Sequence, residues 1–228
     1  MLDRPFLPKN AADPGLRAAN LASASNVGGD STPVPVFVNI PFDLRFIDLY
    51  LAYLAGLSAL GLYPRSSIEI AGGDRRLDRI FHLIQACPFS VHDLSRVELD
   101  TKRPETPRFN MPLELGLAIA WQKLNPAKHV WFIFEAKKGR IEKSMSDLNG
   151  TDPYIHRGRP NALFGELANA FVRQGSQTSV TQMQQVYIAP QDATPRVCRK
   201  AGTTFPFKAK VFDDLRVLAR KLTDEQAA

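Results

Sequence analysis

The sequence predicts an α/β protein in which helices cover both faces of a mainly parallel sheet of four or five strands. Three observations indicate this class: short β-branched and aromatic segments alternate with segments of helical periodicity, the links between them are short, and the segment "HVWFIFEA" is apolar throughout, as a central parallel strand is. A C-terminal helical extension is expected to follow.

The first half of the chain contains three strands and two helices in this pattern. The apolar run "VFVNI" predicts the first strand, and "DLRFIDLYLAYLAGLSALGL" predicts the helix after it. The second strand is expected around Ile68 to Ala71. "PFSVHDLS" predicts the third strand, and the helix before it aligns one apolar face made of Leu77, Ile80, Phe81 and Ile84.

The second half is less regular. The helix in "PRFNMPLELGLAIAWQ" precedes the fourth strand, and a long polar connection, "RIEKSMSDLNGTDPYIHRGRP", leads to an amphipathic helix in "NALFGELANAFVRQ". The segment "QMQQVYIAP" is compatible with helix or strand, whereas "KVFDDLRVLARKL" has helical periodicity in its apolar residues Val211, Leu215, Leu218 and Leu222.

These elements divide the chain into three regions. Residues 1–34 are rich in Ala, Ser, Asn, Gly and Pro without a sustained period, which predicts a flexible leader. Residues 35–175 hold the α/β domain, and residues 176–228 are expected to pack on the same domain as an extension.

Composition limits the class of protein. The 228 residues are 44% hydrophobic and 23% charged, which is typical of a soluble globular domain, and no apolar run is long enough to cross a membrane. The N-terminus lacks the apolar core of a signal peptide, so we expect a cytoplasmic protein. The net charge of +6 favours anionic ligands, but the basic residues never form a run, so nucleic acid is not expected as a direct ligand. Cys87 and Cys198 lack disulfide or metal-site spacing.

Several catalytic motifs are absent from the sequence. No G-x-G-x-x-G follows the first strand and no G-x-x-x-x-G-K-[ST] occurs, which argues against hydride transfer and P-loop phosphoryl transfer. G-x-S-x-G and H-E-x-x-H are also missing, which argues against serine hydrolases and zinc peptidases. His92 and Asp93 have no companion ligand at metal spacing, so a hydrogen-bonded pair is favoured over a metal site.

Polar side chains follow the predicted strands at their C-terminal ends, where ligands bind in doubly wound sheets. Asn39 and Asp43 follow the first strand, Glu69 the second, His92, Asp93 and Ser95 the third, and Glu135 the fourth. Asp43 and Asn110 are equally well explained as helix caps.

Glu114 is the one acid in an otherwise apolar helix start. Pro112 suits the first helical position, so Glu114 would be about the third, where free N–H groups and the helix dipole favour an ionised carboxylate. Such a carboxylate is fit to be a nucleophile or to stabilise an oxocarbenium ion, and unfit to be a general acid. Because its neighbours are apolar, a site at a strand-end cleft is the alternative to plain helix-start electrostatics.

The segments "FVNIPFD", "PRSSIE", "FSVHDLSR", "PRFNMPLELGLAIA" and "DLNGTDPYIH" together resemble bacterial TIR-like proteins related to nucleoside 2-deoxyribosyltransferases. The resemblance covers about residues 36 to 175, and its most specific part is "HDLS" with "PRFNMP-x-ELG". It implies a flavodoxin-like sheet and, for the TIR relatives, cleavage of NAD in antiphage or immune responses. Leu113 stands where an aromatic residue is common, a change expected to affect packing more than chemistry.

The resemblance also implies roles for individual residues. Glu114 matches the glutamate that attacks or stabilises ribose C1′, and NAD would be a substrate, with no cofactor and no metal. Nicotinamide leaves as a neutral molecule without a proton donor, whereas ordinary bases need one, for which His92, Asp93, Asp147 and His156 are candidates. The matching segments predict this substrate-binding set: Asn39, Pro41, Phe42, Asp43, Arg65, His92, Asp93, Asn110, Met111, Asp147, Asn149 and His156.

Three functions remain open at this point. The first is an N-glycosidase that cleaves NAD or a related nucleotide, working as a homo-oligomer or with a partner defence protein. The second is a TIR-like module that binds a nucleotide or a protein without catalysis, because fold does not determine function. The third is transfer of deoxyribose between bases. The segment "DLNGTDPYIH" is expected to be either a plain loop or a lid over the site.

Overall fold

A computed structural model of the chain describes residues 33–69, 75–96, 103–172 and 178–227. Within these residues the strands are β1 Val34–Asn39, β2 Leu62–Arg65, β3 Phe89–Asp93, β4 Val130–Glu135 and β5 Tyr154–Ile155. The helices are α1 Ile47–Ala59, α2 Arg76–Ala86, α3 Asn110–Leu124, α4 Arg140–Ser144, α5 Pro160–Ala170, α6 Val180–Lys200 and α7 Ala209–Ala227, with 3₁₀ turns at Leu44–Phe46 and Ser146–Leu148.

The sheet confirms the predicted α/β class. Its strand order is β2-β1-β3-β4-β5, and every neighbouring pair is parallel. This order is that of flavodoxin-like sheets, in which ligands bind beyond the C-terminal strand ends near β1 and β3, where the order reverses.

The second strand lies earlier than the sequence predicted. It occupies Leu62–Arg65 and pairs with β1 from Val34↔Leu62 to Phe37↔Arg65, whereas Ile68 lies in the following turn and Ala71 is outside the described residues. Pro64 concealed this strand, since proline is excluded from central strands. β2 is an edge strand, where a missing N–H donor is tolerated.

The sheet has an apolar layer on each face. On one face, β1, β3 and β4 contribute side chains such as Val36, Val91 and Phe132 to a cluster that includes α1, α5, α6 and α7. On the other face, Phe37 packs against α2 and α3, and Ile133 packs against α3 and α4. The predicted helical cover on both faces is therefore confirmed.

Helix α1 is buried along almost its whole length and around its circumference. All residues from Leu49 to Ala59 are buried, because the sheet, α5, α6 and α7 surround the helix. The predicted C-terminal helical extension is confirmed, and the ambiguous segment "QMQQVYIAP" is part of α6. Its helices pack directly on α1 and contribute Met183, Val186, Val211 and Leu215 to the main core.

Other predictions fall outside the described residues or need correction. Residues 1–32 of the predicted leader and the "AGGD" segment at 71–74 are outside the described part. Leu77 is exposed, and Leu83 takes its place in the buried face of α2. None of the helices in the described ranges is long and apolar enough to cross a membrane.

Candidate functional site

The strand ends near β1 and β3 are joined by a buried chain of hydrogen bonds. Asn39 Nδ2 contacts His92 Nδ1 at 2.9 Å and the carbonyl oxygen of Met111 at 3.2 Å. His92 Nε2 lies 2.9 Å from Ser90 Oγ, which lies 2.8 Å from His129 Nε2. His129 Nδ1 ends the chain at the carbonyl of Cys87, 2.7 Å away.

The groups at its two ends, a donor amide and an acceptor carbonyl, fix the direction of this hydrogen-bond chain. The amide of Asn39 donates to His92 Nδ1, so the His92 proton is on Nε2 and points to Ser90. Because the Cys87 carbonyl only accepts, His129 carries its proton on Nδ1 and accepts from Ser90 through Nε2. Both histidines are therefore neutral.

Burial favours the same neutral state. It lowers the pKa of His92 to about 3, with His129 nearby contributing, and lowers the pKa of His129 to about 4 against the opposing hydrogen bond to Cys87. These hydrogen bonds connect the first turn of α3, through the carbonyl of Met111, to Asn39 of β1 and His92 of β3. Asn39, His92, Ser90 and His129 therefore form their hydrogen bonds with other protein atoms.

A second buried cluster joins β3 to the segment after β5. Asp93 accepts hydrogen bonds from the hydroxyl of Tyr53 at 2.7 Å, from the backbone N–H of Ser95 at 2.9 Å and from His156 Nε2 at 3.0 Å. Burial opposes ionisation of Asp93, but the hydrogen bonds from His156, Ser95 and Tyr53 outweigh it and lower the pKa of this carboxyl.

Ser95, His156 and Asp93 do not form a catalytic triad. A triad needs the acid on one ring nitrogen of the histidine and the hydroxyl on the other. Here Asp93 and the Ser95 hydroxyl, at 3.1 Å, both contact Nε2, while Nδ1 accepts from the backbone N–H of Gly158 at 3.1 Å. These contacts hold His156, which follows β5, against Asp93 at the end of β3.

The other acids at the strand ends are paired with arginines. Glu135 forms a two-point contact with Arg140, whose guanidinium also donates to the carbonyl of Ser95 at 2.8 Å. Asp43 caps the 3₁₀ turn through the N–H of Arg45 and pairs with Arg96 at 2.7 Å. The capping explanation of Asp43 is confirmed.

Arg65 and Glu69, after β2, are joined to the C-terminal extension. Arg65 Nε donates to Glu69 at 2.7 Å. Arg216 of α7 lies 3.4 Å from Glu69, donates to the carbonyl of Pro64 at 3.1 Å and stacks 4.2 Å above the ring centre of Tyr63. Arg65 is therefore part of an internal ion-pair network at the sheet edge.

Glu114 differs from these acids. The buried acids of the described residues are Asp93, Glu114 and Glu135, and Glu114 alone has no hydrogen bond within the described part of the chain. It is 4% exposed, on the face of α3 that carries Leu117, Ala118 and Trp121. A largely buried carboxyl without a hydrogen-bond partner in the described residues is a candidate functional group.

The helix start corrects the predicted electrostatics of Glu114. Helix α3 begins at Asn110, so Pro112 is the third helical residue and Glu114 the fifth, beyond the first turn where N–H groups are free. Asn110 lies inside the helix, the N-cap is Phe109, and no side chain caps this end. The predicted capping by Asn110 is therefore wrong.

The pKa of Glu114 also departs from the ionised state that its expected place in the first helical turn favoured. Burial raises the pKa of this carboxyl to about 7, and the positive charge of Arg76 opposes only part of that rise. Near neutral pH the side chain exchanges between carboxylate and carboxylic acid, and it is suited to either role in acid–base chemistry.

Helix α2 brings Arg76 to the level of Glu114. Both α2 and α3 connect parallel strands and therefore run in the same direction. The rings of Phe81 and Trp121 meet edge to face with centres 6.0 Å apart. Arg76 precedes Phe81 in α2, and Glu114 precedes Trp121 in α3. At a rise of about 1.5 Å per residue, these separations place Arg76 within one helical turn of Glu114 along the helix axes.

The structure places the predicted substrate-binding residues in several different environments. Asn39, His92 and Met111 meet in the first buried chain, and Asp93 and His156 meet in the second cluster. Pro41 and Phe42 follow β1, with Phe42 packed 5.8 Å from the ring of Phe207, and Arg65 and Asp43 are in ion pairs. The exposed residues are Asn110, Asp147 and Asn149. A substrate role for this set stays a prediction.

The structure adds residues that the sequence did not single out. Tyr53, His129, Arg96, Arg140 and Arg216 hold the strand ends. Each of these residues has at least one partner 39 to 152 residues away in the chain, and Arg76 is likewise linked to Glu114 only by helix packing. The segment "DLNGTDPYIH" contains β5, so the prediction of a plain loop is wrong. No group of His, Cys, Asp and Glu suited to a metal ion occurs among the described residues.

The sheet order and the buried acids together describe a flavodoxin-like α/β protein. Its helix α3, whose first turn contacts the end of β1 through Met111, holds a buried glutamate that has no hydrogen bond in the described residues. Comparison of the chain with family models, curated proteins and solved structures finds no match.

Proposed function

We propose that this chain is an N-glycosidase that cleaves the nicotinamide–ribose bond of NAD or a related nucleotide, with Glu114 as the catalytic carboxylate. The observation that supports the proposal is the buried carboxyl of Glu114, which has no hydrogen bond in the described residues while the other buried acids have theirs. The resemblance of the "PRFNMP-x-ELG" segment to TIR-like and deoxyribosyltransferase proteins suggests the reaction and a role in antiphage defence.

The chemistry needs the ionised form of Glu114. As the C1′–N bond breaks, its electron pair leaves with the ring nitrogen of nicotinamide, which changes from cationic to neutral without taking a proton. The carboxylate stabilises the positive charge at C1′ or bonds to it, and water then adds at C1′ and releases a proton. A cationic substrate beside the carboxylate favours its ionisation.

The surroundings suit a nucleotide. Arg75 is the N-cap residue of helix α2 and Arg76 is its first residue, and in the described residues no side chain caps α2 or α3 at the end where Glu114 lies. Free backbone N–H groups and arginines favour phosphate oxygens. The net charge of +6 favours approach of the same ligands.

The test is nicotinamide release from NAD by purified wild type, Glu114→Gln and the control Glu142→Gln, whose glutamate is exposed on α4. We expect release by wild type and Glu142→Gln and a loss of at least about 100-fold in kcat for Glu114→Gln. Equal rates for wild type and Glu114→Gln would exclude the proposed mechanism.

The pH profile separates the two roles open to Glu114. If the carboxylate acts, kcat/KM for NAD rises with pH around a midpoint near 7 and is level above it, because the pKa of Glu114 is raised to about 7. A profile that falls above pH 7 would assign the acid form instead and favour bases that need a proton, including deoxyribose transfer.

A second candidate is a nucleotide-sensing or protein-interaction module without catalysis. The observation that favours it is the complete engagement of Asn39, His92, Asp93 and His156 in internal hydrogen bonds. Calorimetry with NAD and parallel assays of nicotinamide distinguish the candidates, because binding without turnover across pH and protein concentration supports the module.

A further inference from the structure

The outer face of α3 carries a continuous apolar surface that nothing in the described residues covers. Phe109 is 67% exposed, Leu113 55% and Leu124 80%, and Gly116 and Ala120 between them are also exposed. We call this set the α3 stripe: Phe109, Leu113, Gly116, Ala120 and Leu124. Their spacings of four, three, four and four residues keep them on one side of a helix.

The stripe is unusual for a solvent-facing helix. Lys123 is the one exposed charged residue within Asn110–Leu124, and it lies at the margin of the stripe. A helix that is apolar on its outer as well as its inner side is normally buried on both. Contiguous exposed apolar surface of this kind marks an interaction site.

The order of side-chain sizes is self-complementary. The small residues Gly116 and Ala120 lie in the middle of the stripe, between large residues at its two ends, and a Cβ added at Gly116 would meet nothing within 4 Å. When two copies of α3 lie antiparallel about a two-fold axis between positions 116 and 117, each large residue meets a hollow or another apolar side chain. The pairs are Phe109 with Leu124 and Leu113 with Ala120, and the two copies of Gly116 lie next to each other beside the axis.

We propose that the α3 stripe is a homodimer interface in which two copies of this chain pack their α3 helices antiparallel about a two-fold axis near Gly116. The interface uses the same patch on both copies, as two-fold dimers do. Small residues at the crossing allow the helix axes to approach to about 8 Å, and the antiparallel arrangement also aligns the helix dipoles favourably.

This arrangement bears on the site without depending on the proposed activity. Leu113 precedes Glu114 in α3, so the partner's helix covers the outer side of the turn whose inner side holds the carboxyl. One helix face supplies only part of the roughly 800 Å² per partner of a standard interface, so we expect a dissociation constant of about micromolar order.

Charge substitutions at Gly116 test the interface. Near the axis the same residue faces itself, so Gly116→Asp and Gly116→Lys each place like charges together and are expected to sediment as monomers at a concentration where wild type is a dimer. Mixing the two variants in equal amounts is expected to restore a dimer, since opposite charges then meet. The open space at Gly116 means that neither variant is strained, which circular dichroism checks.

A cysteine at the same position tests the two-fold geometry. Gly116→Cys is expected to form a disulfide-linked dimer on mild oxidation, while Ile188→Cys, on an exposed site of α6, does not, and the native cysteines are buried. A monomeric wild type at tens of micromolar, a dimer unaffected by Gly116→Asp, or a Gly116→Cys dimer that oxidation fails to cross-link would each overturn the proposal. Nicotinamide release is measured separately, so loss of activity and loss of the dimer are distinguished.

Discussion

At the scale of single residues, Glu114 is the acid whose protonation state depends most directly on its burial. The same burial that raises the pKa of its carboxyl to about 7 leaves the ionised form without a hydrogen-bond partner in the described residues. Ionised Glu114 therefore costs folding free energy, a cost that catalytic groups commonly carry. The neighbouring acids Asp93 and Glu135 differ because tyrosine, histidine, arginine and backbone donors satisfy them.

This cost predicts a pH-dependent effect of Glu114→Gln on stability. The folded pKa near 7 is above the ordinary value of 4.5, so the folded state binds more protons between these values and stability falls as pH rises through 7. From pH 4.5 to pH 9, we expect the wild type to lose up to about 3 kcal/mol relative to Glu114→Gln. Urea unfolding of both proteins at pH 4.5 and pH 9 measures this difference in the free energy of unfolding.

The control for this experiment is Glu142→Gln, which removes an exposed carboxyl from α4. It should follow the pH dependence of the wild type. Parallel curves for wild type and Glu114→Gln would show that the pKa of Glu114 is not raised in the folded state.

Ser90 is the residue on which the buried histidine chain depends. Its hydroxyl accepts from His92 and donates to His129, so Ser90→Ala leaves one buried donor and one buried acceptor unpaired. We expect a loss of about 2 to 4 kcal/mol in the free energy of unfolding. Ser144→Ala, which removes an exposed hydroxyl from α4, should change it by less than about 0.5 kcal/mol. Equal effects of the two substitutions would contradict the hydrogen bonds that Ser90 makes to His92 and His129.

At the scale of secondary structure, packing overrides local preference in α6. Local rules predict a break at each proline inside a helix, yet α6 continues through Pro190 and Pro195. The hydroxyl of Thr194 donates to the carbonyl of Pro190 at 2.7 Å, and Val186, Pro190 and Ala193 are buried. The ambiguity of "QMQQVYIAP" in the sequence is settled by this burial, since the helix is held by its contact with α1.

The crossing of α1 and α5 depends on a glycine. A Cβ at Gly56 would lie 2.7 Å from a methyl of Leu167 and 3.3 Å from the ring of Phe164, both fully buried. Gly56→Ala is therefore expected to lower the free energy of unfolding by about 1 to 3 kcal/mol despite the better helix propensity of alanine.

Gly165 provides the matched control in α5. A Cβ there meets nothing within 4 Å, so Gly165→Ala should gain helix propensity and stabilise the protein by about 0.5 to 1 kcal/mol. Thermal unfolding of both variants compares them directly. Stabilisation by both substitutions would mean that α1 and α5 are not in close contact.

At the scale of the whole molecule, the C-terminal helices belong to the same core as the sheet. Leu215 and Phe212 of α7 are buried against α1, and Arg216 reaches the end of β2. Because α1 from Leu49 to Ala59 has no polar side that could face water, its stability requires this cover.

Two neighbouring residues of α7 test this integration. Leu215 is fully buried and Val217 is 58% exposed. Leu215→Ala should cost about 2 to 5 kcal/mol and shift a single cooperative transition, whereas Val217→Ala should change it by less than about 0.5 kcal/mol. A Leu215→Ala variant that loses only the signal of α6 and α7, with the rest unfolding as in wild type, would show that the extension is a separate unit.

The α/β class, the positions of most helices, three of the strands and the anomaly of Glu114 could all be predicted from the sequence. These features follow from the spacing of apolar residues, which reports locally on which face of a segment is buried. The spacing of apolar residues did not predict β2, because Pro64 is atypical of a strand unless the strand lies at a sheet edge. It did not predict β5 either, because two residues are too few to show a pattern.

Which polar side chains are satisfied, and how Glu114 ionises, depends on contacts between distant parts of the chain. Asn39 meets Met111 across 72 residues and Tyr53 meets Asp93 across 40, and no local pattern encodes such partners. The pKa of Glu114 depends on the water that α2, α3 and β1 exclude together, which is a property of their packing. For the same reason the exposed side of α3 could be recognised only once its inner side was placed.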